Sequence, residues 1–363
     1  MKQAKLVDAI NELLKNNSAF VAFQQPKTTQ PQLFAGGNFE CLKSLSAISE
    51  KGFVFHPFYA GDEKAYFYKP QFVRSGWEID FGLEELYSYR NNPYKSDSLP
   101  FVVSKTEYLD QARTLISMLK NGVAQKVVLS RVIPHKLEEQ INWGNKFEQL
   151  CQKYLTAFVY ILSDGQGLFW AGATPETLIS VKDRKAYTMA LAGTQPAKLH
   201  PEETYVWQQK EWDEQQYVTD YIAGILQDAG IENIKISEKS TQLAGKLVHL
   251  VNHIDFEMPA HVTALELAQK IHPTPAICGF PADKSFELIR TTERHKRSFY
   301  SGFLGLIHDA KAAEFYVNLR CIRLIDNVIY SYVGGGLTAD SIPEKEWTET
   351  VLKSQTMLSL FTK

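Results

Sequence analysis

The chain has 363 residues, 44% hydrophobic and 22% charged, with a formal net charge of −2. This is the composition of a globular protein with a sizeable core, and it excludes a disordered or low-complexity chain. No basic block offers itself to a nucleic-acid backbone, the four cysteines (Cys41, Cys151, Cys278, Cys321) are scattered without a CxxC, and no stretch is long and apolar enough to span a bilayer, so a cytoplasmic location is expected.

Met1 to Phe20 reads as an amphipathic helix carrying Asp8, Glu12 and Lys15. Short aromatic-rich strands follow at Gly52 to Phe58 and Ala65 to Val73. The polar, proline-bounded run Arg90 to Pro100 is expected as a connector, dividing an N-terminal α/β portion (1–100) from the main domain (101–363). Ser104 and Glu107 form a capping box for a helix whose apolar face is Tyr108, Ala112, Leu115, Ile116 and Leu119, with Gly122 closing it. A strand is expected from Lys126 to Ile133, then a strand pair around Phe158 to Leu162 and Gly167 to Ala171. Trp212 to Ala229 is a second helix, ended by Gly230. Phe315 to Leu324 and Val328 to Val333 alternate as strands around the two-residue turn Asp326-Asn327. Strands arrive in hairpins with helices between groups of them, which argues α+β with antiparallel sheets.

The tail carries the densest chemistry. Gly334-Gly335-Gly336 is expected as an anion-ready loop before a helix, with Ser341 and Glu344 as a capping-box pair and Pro343 in the first turn. On that helix Glu346, Glu349 and Lys353 fall at i, i+3 and i+7 on a stripe that continues to Met357 and Leu360, hence inward. Glu214 shares a helix face with Val218 and Tyr221 and is a third inward carboxylate. Such charges are unfavourable in an interior unless they hold something, and a divalent cation with a carboxylate ligand would balance them. Glu349 and Lys353 also read as an ordinary i,i+4 ion pair.

Other segments are ambiguous one at a time. Lys126 opens its strand on the side of Val128 and Ser130, where a lysine is commonly a solvated edge charge. Gly172-Ala173-Thr174-Pro175-Glu176 reads as a turn with Glu176 at its exit. Ala190 to Thr194 is a small-residue turn able to present amides to an anion. Arg320 follows Tyr316 and Asn318 on one side of a strand, and arginine suits a two-bonded grip on a carboxylate. His249 and His253 with Asp255 and Glu257 could mimic a zinc hydrolase, but there is no HExxH, and Val248, Leu250 and Ile254 look like the core face of a strand.

In this order the segments resemble the chorismate-utilising enzymes: isochorismate synthases, salicylate synthases, and the large subunits of anthranilate and aminodeoxychorismate synthase. The likeness runs from Lys126-Val127-Val128-Leu129-Ser130-Arg131 through Gly172 to Glu176, Leu191-Ala192-Gly193-Thr194 and His272-Pro273-Thr274-Pro275-Ala276. It continues through Phe299-Tyr300-Ser301-Gly302, Asn318-Leu319-Arg320 and the glycine triplet to Lys353. The resemblance implies the fold of that family, large antiparallel sheets in a sandwich-like core with surrounding helices, and makes 101–363 the chorismate-binding catalytic domain.

It also implies roles. Glu214, Glu346 and Glu349 are similar to a Mg²⁺ site, which hard oxygen donors suit. Tyr300 and Arg320 are similar to the pair holding the enolpyruvyl carboxylate, with the amides of Gly334 and Gly336 nearby, while Gly193, Thr194, His249 and Lys353 line the rest. Lys126 resembles the general base that activates water toward C2, and Glu176 the acid that protonates the departing 4-hydroxyl. Lysine at 126 favours water over ammonia as nucleophile, and Ala276, where salicylate synthases carry threonine, favours stopping at isochorismate. One departure is Gln215, where the family often has histidine. The chain is expected to work as a monomer without a glutaminase partner, supplying menaquinone or siderophore synthesis. The branches that eliminate pyruvate or add an amine stay open as alternatives.

Overall fold

Strands that are apolar along their whole length need cover on both faces. Phe20–Gln24, Gly52–His56, Phe158–Ser163 and Phe169–Thr174 are buried at every position. A computed structural model describes residues 3–42, 48, 50–80, 99–197, 205–244 and 247–361 and shows how that cover is supplied. Among these residues the strands form two large sheets and a two-stranded one of Gln3–Lys5 with Glu78–Asp80, antiparallel at every pairing. The first runs Gly279–Phe280, Lys126–Lys136, Val328–Leu337, Cys321–Ile325, Phe169–Thr174, Phe158–Ser163, Phe20–Gln24, Gln32–Ala35 and Phe72–Ser75. The second runs Lys235–Ile236, Leu247–Glu257, Lys185–Pro196, Thr177–Lys182, Ala312–Val317, Phe303–Asp309, Gly52–His56, Tyr66–Tyr68 and Phe39–Cys41, with Ser240–Ala244 also paired to Leu247–Glu257.

Aromatic side chains fill the space between the sheets. Phe23, Phe158 and Trp170 of the first meet Phe53, Phe55 and Tyr316 of the second. Phe158 stacks on Tyr316 at 4.4 Å between ring centroids, and Phe55 on Phe299 at 3.9 Å. Flat rings bury much area per residue and stack at a tolerant spacing, so they suit a core shared by two twisted surfaces. The outer face of the first sheet is covered by the helices Leu6–Lys15 and Trp143–Lys153. Gln209–Asp228 and Ala264–Ile271 cover the second. The result is the α+β sandwich that the hairpin pattern predicts.

The residues before 100 contribute three strands to each sheet. The expected connector lies outside the described residues except for Leu99 and Pro100. The helix expected from Met1 to Phe20 stops at Lys15, because Phe20 already starts a buried strand. Ala65 to Val73 is two strands, Tyr66–Tyr68 in the second sheet and Phe72–Ser75 in the first. The Ser104–Glu107 capping box is present with both reciprocal bonds. The one expected at Ser341 is not: the N-cap is Ile342, and Ser341 Oγ accepts from Thr338 N and donates to Glu346 Oε1 at 2.8 Å.

A larger correction concerns Phe315 to Leu324. It is two strands in different sheets, Ala312–Val317 and Cys321–Ile325, separated by a crossover at Asn318-Leu319-Arg320 where Arg320 adopts φ 49°. Pro175-Glu176 is likewise a crossover, from Phe169–Thr174 in the first sheet to Thr177–Lys182 in the second. The two lie side by side, since Ala173 N donates to Arg320 O at 3.2 Å and Val317 N to Glu176 O at 3.0 Å.

Candidate active site

A cleft of about 950 Å³, counted to its open mouth, lies at these crossovers and is lined by residues from both sheets and two helices. Glu176 and Arg320 enter it from the crossovers. Gly193, Thr194 and His249 come from the second sheet, Gly334 and Gly336 from the first, and Ala276 and Tyr300 from loops. Glu214 projects from the helix Gln209–Asp228, and Glu346, Glu349 and Lys353 from Pro343–Leu358. Lys126 is only 1% exposed and is not among the residues lining the cleft; its ammonium meets the lining residue Glu214, 2.7 Å from Oε1.

The glycine triplet is not a loop. It ends the strand Val328–Leu337 and pairs with the lysine strand, Gly334 opposite Ser130 and Gly336 opposite Val128. Its value is space. A Cβ on Gly336 would lie 2.8 Å from Glu214 Oε1 and 2.9 Å from Lys126 Cε, and one on Gly334 would lie 2.9 Å from the Tyr300 hydroxyl. Ala190 to Thr194 is not a turn either, but part of the long strand Lys185–Pro196. Its register to Leu247–Glu257 slips between Ala192 and Gln195, which pair with Leu250 and Val248, so one extra residue bulges out. Gly193 takes φ 69° there, and His249 faces the bulge with Nδ1 2.9 Å from Gly193 O and 3.2 Å from Thr194 Oγ1. A carbonyl only accepts, so Nδ1 carries the proton and Nε2 is a bare acceptor. Nε2 is buried without a hydrogen-bond partner. Burial, helped by the Arg320 charge, pushes His249 down to about 3, so the ring stays neutral. His253 bonds Tyr187 OH at 2.8 Å, away from His249, and among the described residues no group of three His, Cys, Asp or Glu side chains stands ready to hold a metal ion.

Electrostatics separates the carboxyls. Glu176 is 2% exposed, and burial pushes it up to about 8 against the pull of Lys126 and Lys353, so it is protonated at neutral pH. Burial and the neighbouring Glu349 charge also raise Glu346. Burial works upward on Glu349 too, but Lys353, 2.6 Å away, holds it below the usual range. Each of the three carboxylates faces an ammonium: Glu214 faces Lys126, Glu349 faces Lys353, and Glu346 faces Lys210 at 3.4 Å. In donor chemistry the trio suits a hard divalent cation. As arranged, their oxygens are spent on lysines.

The Arg320 guanidinium makes one hydrogen bond among the described residues, to Lys353 O at 3.3 Å, leaving most of its donors for an anion in the cleft. Tyr300, 4% exposed, is pushed by burial up to about 12 and remains a hydroxyl donor. The sequence reading missed Lys210, which bonds Ser341 Oγ at 3.3 Å and bridges the two glutamate-bearing helices. Its place four residues before Glu214, on the same helix face, is the signal that could have found it.

The family model described as chorismate binding enzyme matches residues 83–362. The chain belongs to the chorismate-binding enzyme family. It is 29% identical over 305 residues to isochorismate synthase DhbC of Bacillus subtilis (strain 168), covering 80% of this chain and 75% of that protein. It is 26% identical over 305 residues to isochorismate synthase EntC of Escherichia coli (strain K12), covering 80% and 77%. Among solved structures, MenF, the menaquinone-specific isochorismate synthase from Escherichia coli, superimposes with a TM-score of 0.82 at 18% identity, covering 98% of this chain and 91% of that one, a likeness of fold. Against the family pattern Gln215 is the departure, and it does not face the cleft. It is fully buried, and its amide donates within the sheet–helix packing, to Asn252 Oδ1 at 2.6 Å, Thr219 Oγ1 at 2.9 Å and Ala190 O at 3.1 Å.

Proposed function

We propose that the protein is an isochorismate synthase, converting chorismate to isochorismate by adding water at C2 and releasing the C4 hydroxyl as water. The observation that carries this reading is Glu176, a buried carboxyl of the cleft wall protonated at neutral pH, with the buried Lys126 paired to Glu214 of the same wall. Arg320 and Tyr300 offer donors to a substrate carboxylate, and His249 Nε2 offers an acceptor to a substrate hydroxyl. The amine form of Lys126 takes the proton of the attacking water as its oxygen bonds to C2. Glu176 gives its proton to the C4 oxygen as that bond breaks, so one water enters, one leaves, and the ring double bonds shift without net oxidation. One acid and one base are what such an exchange requires.

Glu214, Glu346 and Glu349 are the residues that would hold Mg²⁺, which would supply positive charge for the ring carboxylate. Ala276, small beside the ring site, favours release of isochorismate over elimination of pyruvate. The product feeds menaquinone or catecholate siderophore synthesis, and the enzyme works as a cytoplasmic monomer without a glutaminase partner.

The test is direct. Purified protein with Mg²⁺ and chorismate is expected to form isochorismate reversibly, with no pyruvate and no need for ammonium. Anthranilate formed from ammonium, or stoichiometric pyruvate, would assign the chain to another branch of its family.

A further inference from the structure

The lysine strand loses its neighbour just past Lys126. On one side it pairs with Val328–Leu337 from Val127 onward, but on the other the ladder to Gly279–Phe280 covers only Lys126 and Val127. The edge groups beyond belong to the even-numbered residues. Val128 N donates to Cys278 O at 2.8 Å, and there the backbone partners stop. Two side chains take over. Arg297 NH2 donates to Val128 O at 2.7 Å, and Ser130 N donates to Glu293 Oε1 at 2.7 Å. The same guanidinium donates from NH1 to Ile277 O at 2.8 Å, in the loop next to Ala276. It grips Glu293 twice, Nε to Oε2 at 2.9 Å and NH2 to Oε1 at 2.7 Å. Tyr300 N donates to Arg297 O at 2.9 Å. Arg297 is 3% exposed, and its ring neighbour Phe58 lies 4.5 Å from it.

One buried ion pair therefore touches two parts of the cleft, the strand of Lys126 and the wall at Ala276 and Ile277, while the Arg297 backbone adds a turn bond to Tyr300 N. Neither Arg297 nor Glu293 lines the cleft's described wall. A planar guanidinium with its donors in fixed directions can hold two backbone carbonyls and a carboxylate at set distances, which a lysine cannot.

We propose that the buried Arg297–Glu293 pair is a positioning device for the reaction, substituting for the missing strand and fixing Lys126 relative to the Ala276–Ile277 wall. This rests on the reading of Lys126 as the base. The pair touches no substrate and acts through the lysine.

A double-mutant cycle tests it, with kcat and KM for chorismate, the stoichiometry of chorismate binding and the thermal melt recorded for Arg297→Lys, Lys126→Ala and the double variant. Misplacing a reacting group by about 1 Å costs roughly 10²-fold. Arg297→Lys is therefore expected to lower kcat by about that much, with KM within about threefold and still one substrate bound per chain. In the Lys126→Ala background the same change is expected to cost less than about twofold, because the group it positions is gone. Equal losses in both backgrounds would overturn the proposal and leave the pair a structural brace. Full activity of Lys126→Ala alone would overturn the base assignment, a failure visible before Arg297 is touched, and the proposal with it. If Arg297→Lys does not fold, Arg297→Met with Glu293→Leu removes both charges together, leaves no lone buried ion, and enters the same cycle with the same expectations.

Discussion

Glu176 is the most sharply testable residue. Its carboxyl is held at about 8 in the folded chain against an ordinary value of 4.5. Between those values the folded state binds the proton and the unfolded state does not. The contribution to stability is therefore complete below about 4.5 and is lost as the pH climbs toward 8. Glu176→Gln is expected to flatten that part of a Tm-against-pH curve, and unchanged curves would contradict the burial argument. If Glu176 is the acid, kcat/KM for chorismate falls above about pH 8, tenfold per unit, and Glu176→Gln removes the limb together with most of the activity. Lys126→Ala is expected to lose roughly 10²–10⁴-fold in kcat while still binding chorismate, the range for removal of a general base. Near-normal hydration in that variant would leave the lysine a structural charge beside Glu214. Residue identities were the legible part of this site. Glutamate, lysine and arginine in a fixed order pointed to the cleft, whereas Lys210 went unnoticed because it precedes Trp212, where the helix was expected to begin.

At the scale of elements, what sequence could show depended on whether local forces decided the outcome. Lys105–Lys120 was legible because its capping box and apolar face are properties of neighbouring residues. The crossovers at Glu176 and Arg320 were not, since leaving one sheet for another is decided by distant partners and marked by no glycine. Arg320 even holds a positive φ without being one. The glycine triplet misled because glycines favour loops, while here their use is to keep Cβ atoms off the cleft. That difference predicts unequal tolerance. Gly336→Ala would force a methyl against Glu214 and Lys126 and is expected to lower kcat more than tenfold, a loss in keeping with a displacement of the reacting groups. Gly335→Ala, whose methyl would find its nearest atom 3.4 Å away on a glutamate, is expected to stay within about threefold. Equal losses, measured at matched folding, would show that the triplet is needed for flexibility instead.

On the scale of the whole molecule, two sheets and two glutamate-bearing helices bring like charges together, and three lysines hold them apart. Mg²⁺ that engages Glu214, Glu346 and Glu349 would stabilise the fold by mass action, so Tm is expected to rise with added Mg²⁺ and fall back with chelator. Glu349→Gln is expected to abolish both that rise and the activity while the protein still folds. A Mg²⁺ response that survives the substitution would put the ion elsewhere. Glu346 carries the opposite sign of strain. Raised by burial and by Glu349, it contributes stability that is lost as pH rises through its shifted value, so Glu346→Gln is expected to melt higher than wild type in metal-free buffer at pH 8.

The paired crossovers set a limit on how this enzyme can move. Amides of Ala173 and Val317 are bonded to the carbonyls of Arg320 and Glu176, so the proposed acid and the proposed carboxylate grip hang from one seam joining both sheets. Sliding one sheet over the other would carry both groups along together and leave their separation intact. Opening the cleft therefore falls to the two carboxylate helices, one of which meets the seam where Arg320 NH1 donates to Lys353 O. Solvent deuterium should enter the Ala173 and Val317 amides only when the whole chain unfolds, while amides in the first turns of Gln209–Asp228 and Pro343–Leu358 exchange far sooner. Evolution within such a frame can retune the helices' charges freely, but can hardly shift the acid without unpicking both sheets.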